Sequence, residues 1–165
     1  IAKVIALEID RVALYGTGAA NEPLGLHNTA GIGSEAITAN NPTFAQVVNM
    51  ESDVASANAL MGNLAYITGA TIRGAMKVRT KDSGSGQFLW GGDNTVNGYP
   101  AYMSNQVEAG DIWFGNWSDC IIGYWSSLDL LVDPYTHSTS GTIRITALQD
   151  VDVAFRHAAS YSLGA

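Results

Sequence analysis

Residues 14–26 read Leu14-Tyr15-Gly16-Thr17-Gly18-Ala19-Ala20-Asn21-Glu22-Pro23-Leu24-Gly25-Leu26. This stretch ends one regular element and turns the chain twice. Gly16 and Gly18 follow an apolar-periodic segment, where glycine commonly terminates a last helical turn. An abrupt stop with a sideways exit predicts positive φ at Gly16 or Gly18, a conformation that a larger residue there would hold under strain. Pro23 and Gly25 mark the second turn.

Working back from this stretch, residues 1–15 read as a helix. Ile1, Ile5, Ile9 and Val12 fall on one stripe at 3.6 residues per turn. Lys3, Glu8, Asp10 and Arg11 lie opposite, with Glu8 and Arg11 spaced to pair at i, i+3. Val4, Leu7 and Leu14 flank the polar arc, so the helix is expected to meet apolar neighbours on more than one side. No capping residue precedes it and the first residue is Ile, so a fragment of something longer is expected.

Working forward, residues 16–43 form a connection holding five of the eighteen glycines; such segments are generally functional, mobile or laid across a surface. Asn41-Pro42 reads as a helix start, and Val47, Met50, Val54, Ala57 and Met61 give an amphipathic helix ended by Gly62. Leu64–Thr68 is a strand candidate, and Thr71 is a candidate cap for a helix reaching about Val78. Residues 81–86 form a turn-rich loop. Strands are expected over 87–90, 99–104, 112–114, 120–125, 128–132, 142–148 and 151–155, with a hairpin at Ser126-Ser127. Helices first and mixed strands later predict an α+β fold.

Composition narrows the function. Of 165 residues only 14% are charged while 47% are hydrophobic, which excludes a disordered chain. Eight basic against fifteen acidic residues leave a net charge of −7, the wrong sign for gripping nucleic acid through its phosphates. The basic residues are scattered apart from Arg73, Lys77, Arg79 and Lys81. No apolar run reaches a membrane span, and no signal-peptide pattern opens the chain.

Catalytic and cofactor motifs fail individually. Residues 16–21 lack the third glycine of a dinucleotide loop, and residues 31–36 have no strand before them. Residues 93–98 begin like a calcium loop, but Ser104 stands where the closing carboxylate belongs, leaving a polar turn. His27, His137 and His157 are far apart, no G-x-S-x-G elbow is present, and only a triad assembled from loops stays open. Cys120 reads as a small buried hydrophobe. Trp90, Trp113, Trp117 and Trp125 suit core or subunit-interface packing better than sugar stacking. No catalytic, metal or cofactor residue is assigned.

With these readings made, the opening stretch resembles the turn after the long spine helix in major capsid proteins of tailed bacteriophages, "LYGTG" followed by "[EQ]P.G[IL]". Further segments are similar in the same order: 66–68, 81–90, 97–101, 112–118 and 152–158. Asn116 and Asn97 depart from the family's pattern, and a common Trp is absent from 64–68. The resemblance implies a peripheral domain of spine helix and long antiparallel strands, here 1–34 and 112–165, with an inserted axial α/β domain at 35–111. It implies that an N-terminal arm and extended loop are missing upstream. It implies a non-enzymatic subunit assembling with its own copies, as pentamers and hexamers, into an icosahedral shell enclosing double-stranded DNA. Scaffold, maturation protease and portal would be further partners, packaged DNA would be touched only non-specifically, and no membrane would be involved. The protein would sit in the virion capsid after assembly in the bacterial host cytoplasm.

Gly16, Gly18, Pro23 and Gly25 are then structural turn residues. Ile1, Val4, Ile5, Leu7, Ile9, Val12 and Leu14 are candidate subunit-interface residues, from which concentration-dependent association is expected. A capsid-like nanocompartment shell for enzyme cargo is the alternative, and a carbohydrate-binding or hydrolytic module a more distant one.

Overall fold

The computed structural model describes residues 1–84 and 86–165; Ser85, within the turn-rich loop expected over 81–86, lies outside them. Helix α1 (Ala2–Tyr15) forms where the periodicity places it, and Gly16 leaves it in an extended conformation with φ −54° and ψ 141°. Of the two glycines, Gly18 takes positive φ, at +70°. The last helical turn is closed by the Gly16 amide donating to Val12 O at 2.9 Å.

The centre of the molecule is strand β5 (Ile112–Asn116), whose five residues are all buried. A nearly continuous apolar strand is covered on both faces, and its neighbours account for both. Antiparallel to it run β2 (Leu64–Thr68) on one side and β10 (Tyr161–Gly164) on the other. Strand β4 (Tyr99–Met103) joins β2 in parallel, β3 (Thr95–Val96) closes that margin, and β1 (Gly33–Glu35) pairs in parallel with β10. The six-stranded order is β1-β10-β5-β2-β4-β3.

Alternate residues of β5 serve different cores. Ile112 and Phe114 pack with Tyr66 under helices α2 (Phe44–Ser56) and α3 (Ala70–Val78), through Val47, Met50, Ile72 and Met76. Trp113 joins Tyr161 and Leu163 against Leu14, Tyr15 and Leu26 at the end of α1. The sheet therefore takes strands from both expected domains: Gly33–Glu35, Ile112–Asn116 and Tyr161–Gly164 pair in one ladder with Leu64–Thr68. Met50 sits in the α2–α3 core rather than against Ile5 or Ile9, and Met61 is exposed.

Beyond β5 the chain leaves the sheet as a two-stranded arm. Strands β6 (Cys120–Tyr124) and β9 (Val151–Phe155) pair antiparallel, followed by β7 (Asp129–Asp133) and β8 (Arg144–Leu148). The register shifts by two residues between the halves, since Tyr124 faces Val151 while Asp129 faces Leu148.

Several local expectations are corrected. Ser126-Ser127 makes no hairpin; it is the kink between β6 and β7, held by Gln149 Nε2 donating to Ser126 O at 2.7 Å. Helix α2 starts two residues after Pro42, at Phe44, capped by Thr43 and Gln46 in a reciprocal box (2.8 and 3.2 Å) that outcompetes the Asn-Pro start. It stops at Ser56 because Asn58 adopts φ +56°, with Ala59 N bonding Val54 O and Asn58 N bonding Ala55 O, a Schellman closure that precedes Gly62. Gly69 rather than Thr71 precedes α3, without a side-chain cap. Residues 87–90 make isolated bridges through Phe88 and Trp90 instead of a strand. The polar turn at 93–98 holds a tight hairpin, with Asn97 and Gly98 both at positive φ between Val96 and Tyr99, the backbone that Asn-Gly favours.

Candidate functional site

The turn after α1 is a folded-back loop whose strand-like sides meet at Thr17 and Leu24. Gly18 N donates to Pro23 O at 3.1 Å and Gly25 N to Gly16 O at 2.8 Å. That closeness explains two of the glycines. A Cβ on Gly16 would lie 2.2 Å from Pro23 O, and one on Gly25 would lie 2.3 Å from Gly16 N. Glu22 supplies the polar tie. Its carboxylate accepts from Thr17 N at 3.0 Å and Thr17 Oγ1 at 2.8 Å and pairs with Arg11, which also bonds Glu8. These donors, the Arg11 guanidinium first, hold the Glu22 carboxyl down at about 2. Glu8–Arg11 was visible in the spacing. Glu22 was missed, although it opens the quoted Pro-Gly motif.

Tyr15, from the same stretch, fastens the helix end to the sheet. Its hydroxyl donates to Asp111 Oδ2 at 2.7 Å and accepts from Glu108 N at 3.1 Å and Trp113 Nε1 at 3.2 Å. His27 stacks beside it, 5.5 Å between ring centroids. Burial raises the pKa of Asp111, opposed by the Tyr15 hydrogen bond, and burial also raises that of the Tyr15 hydroxyl.

The junction from sheet to arm is built by Asn116-Trp117-Ser118. Asn116 Oδ1 accepts from Asn63 N and Ser118 N, both at 3.1 Å, and its Nδ2 donates to Asp119 Oδ2 at 3.1 Å. Trp117 Nε1 donates to Ala65 O at 3.0 Å. Here the structure brings Ser160, His157 and Asp119 together, but not as a nucleophile site. Ser160 is fully buried and donates to Asp119 at 2.8 Å, with His157 Nδ1 on the other side at 2.9 Å. The serine stands between histidine and aspartate, whereas a triad needs the histidine in the middle. Burial raises the pKa of Cys120, the opposite of thiolate activation. Among the described residues no group of three or more His, Cys, Asp or Glu is placed to hold a metal.

The tryptophans divide between core and surface. Trp90 and Trp113 are buried and Trp117 packs on the second core, whereas Trp125 is 72% exposed at the kink of the arm. Around it lies the largest concentration of uncovered apolar side chains. Leu130, Leu131 and Val132 are successive residues of β7 and all exposed, so both faces of the ribbon are apolar and open. Ile143, Ile145 and Leu148 continue this surface on the returning strand, and Tyr135 adds to it at the tip. In α1, Ile1, Val4 and Leu7 are exposed, while Ile5 and Ile9 are half-buried in hollows against Ile122, Tyr124 and Val151 of the arm. Val12 and Leu14 are buried within the chain, Leu14 in the second core and Val12 at the hollow between α1, Pro23 and Val151 of the arm. The arm residues were missed as surface, since their apolar runs look the same as those of a core strand.

The whole surface measures 9209 Å², about 1,300 Å² more than the roughly 7,900 Å² expected for a compact monomer of this mass. No helix among the described residues is long and apolar enough to cross a membrane.

Comparison with known proteins agrees with this geometry. Residues 1–164 match the phage capsid family. The chain is 39% identical over 160 residues to the major capsid protein of Halomonas phage phiHAP-1, covering 96% of this chain and 26% of that protein. The capsid of Myoviridae phage XM1 shares the fold with a TM-score of 0.70 at 11% identity, over 98% of this chain and 61% of that one. A virus-like particle from Pyrococcus furiosus does so with a TM-score of 0.69 at 7% identity, over 98% and 64%. The chain thus spans about a quarter of the length of the curated relative and under two thirds of each solved chain. With its whole sheet and both cores inside the matched residues, the chain belongs to the phage capsid family.

Proposed function

We propose that this chain is part of a structural subunit that assembles with copies of itself into an icosahedral shell around double-stranded DNA. One observation carries the reading: the arm exposes apolar side chains on both faces, which a two-stranded ribbon does not sustain in water by itself. An exposed apolar surface of this size marks an interaction site. A geometrically repeated contact between identical copies covers it at no cost in new sequence. The 39% identical major capsid protein supports the shell over a nanocompartment, since the likeness to the virus-like particle is one of fold. The net charge of −7 suits a wall that encloses DNA without gripping it.

In this reading the division expected at 1–34 and 112–165 against 35–111 shifts with the sheet: α1 and the arm are the peripheral part, and the six-stranded sheet, β1, β5 and β10 included, with α2 and α3 is the axial part gathered in pentamers and hexamers. The subunit acts without catalysis, in the virion capsid, after assembly in the bacterial cytoplasm. Scaffold, maturation protease and portal are the further partners of such a shell. The test is sedimentation and electron microscopy of the protein alongside Leu131→Asp. Association rising with concentration in the parent and lost in the folded variant is the expected result. A parent that stays monomeric at every concentration refutes the reading.

A further inference from the structure

The turn at 93–98 has no part in the shell reading, and it holds the chain's single Asn-Gly pair, Asn97-Gly98. An asparagine before a glycine carries a reaction of its own. The next backbone nitrogen attacks the side-chain amide carbon, and glycine sets no side chain in the way. Here the ladder pairs Val96 with Tyr99 and leaves the Gly98 amide outside it. Gly98 is exposed, and a Cβ built on it would meet nothing within 4 Å. The attacking side of the turn is open.

The side under attack is not. Asn97 is half-buried, and its Nδ2 donates to Glu51 Oε2 on α2. The other carboxylate oxygen of Glu51 accepts from the Tyr99 hydroxyl at 2.8 Å, so the acceptor is itself held. Asn97 also donates to the hydroxyl of Tyr66, which is fully buried. These ties draw the amide inward, onto the cluster of Tyr66, Tyr99 and Phe114 rings. A reaction within one chain depends on bringing the reacting atoms into line, and a bond to a carboxylate is among the stronger restraints on an amide. It also acts on the chemistry. Donation to a carboxylate pushes electron density onto the amide and makes Cγ a poorer target, and Nδ2, which must leave, is the atom that Glu51 holds.

We propose that Asn97 is a site of intramolecular deamidation and that Glu51 sets its rate by restraining the amide. The Gly98 nitrogen bonds to Cγ as its proton passes to water, the Cγ–Nδ2 bond breaks, and Nδ2 takes a proton from water and leaves as ammonia. Water then opens the cyclic imide, at one carbonyl to aspartate and at the other to isoaspartate, with no oxidant or reductant consumed. Either product sets a second carboxylate against Glu51, and isoaspartate lengthens the backbone of the tight hairpin.

The experiment incubates the folded chain at mildly alkaline pH beside Glu51→Ala and Glu51→Gln, with thermal unfolding to establish that each is folded. Peptide mapping separates asparagine, aspartate and isoaspartate at position 97, and the parent in urea gives the unrestrained rate. The folded parent is expected to react at least about tenfold more slowly than in urea. Glu51→Ala should recover most of that factor, and Glu51→Gln, which keeps a neutral acceptor, should fall between. Asn94, bonded by Trp90 Nε1 at 3.1 Å and followed by Thr95, is the internal reference. A folded Glu51→Ala that converts Asn97 no faster than the parent overturns the proposal, as does a parent equally fast folded and in urea. A rise shared in equal proportion by Asn94 marks a general loosening and overturns it too. Where Glu51→Ala is unfolded, Glu51→Gln decides, and a rate equal to the parent's is the refuting result.

Discussion

Replacing Tyr15 by Phe removes one oxygen and leaves the ring in place against His27 and Trp113, at centroid distances of 5.5 and 6.3 Å. Three hydrogen bonds end on that oxygen. Glu108 is exposed, so its amide finds water. Trp113 is fully buried, and an unpaired indole N–H there costs about 1–2 kcal/mol. Asp111 loses a donor to a largely buried carboxylate, worth about 1.5–3 kcal/mol. The expected loss is about 3 kcal/mol at neutral pH, or about 9 °C in Tm for a chain of this length. The loss also depends on pH. Burial already raises the Asp111 pKa against the lowering effect of the Tyr15 hydroxyl, so the substitution raises it further. A carboxyl with a folded pKa above its unfolded value, about 3.9 for aspartate, withdraws stability as pH rises through that window. Tyr15→Phe should therefore cost more at pH 7 than at pH 4, measured by urea unfolding at both. A loss below about 1 kcal/mol at pH 7, or the same loss at both pH values, would refute the role given to this hydroxyl.

The two glycines of the turn should separate by mechanism. Gly18→Ala is expected to cost about 1 kcal/mol through its left-handed φ, whereas Gly16→Ala drives a methyl into two carbonyl oxygens and should cost about 3 kcal/mol, both read by chemical denaturation. Because the Glu22 carboxyl is held at about 2, its contribution is present above the unfolded carboxyl range and fades as pH falls toward that value. Glu22→Gln should thus be the less stable protein at pH 6 and converge on the parent near pH 2, followed by circular dichroism. Asn116→Asp keeps the acceptor for Asn63 N and Ser118 N but sets a second carboxylate against Asp119 where the amide now donates at 3.1 Å. It should cost about 2 kcal/mol at neutral pH and recover on acidification.

The local signals in the sequence were sufficient for α1, for most strands and for the glycine-bearing turn, because each is written within one or two helical turns or a few alternating residues. Glu8–Arg11 was legible for the same reason: both ends sit on one helix face. The missed Schellman stop at Asn58 and the Asn97-Gly98 hairpin are also local, and Asn at positive φ is the signal that would have found them. Other features belong to tertiary structure alone. That Gly33–Glu35 and Tyr161–Gly164 lie side by side, and that Tyr15 reaches Asp111 ninety-six positions away, depends on register between distant segments, which no local propensity encodes. The fate of the apolar runs was likewise undecided. Ile112-Trp113-Phe114 and Leu130-Leu131-Val132 are alike as sequence, yet the first is buried on both faces and the second is open on both. Hydrophobicity sets which side chains must leave water; the chain's own folding covers β5, and for β7 it leaves the covering to another surface.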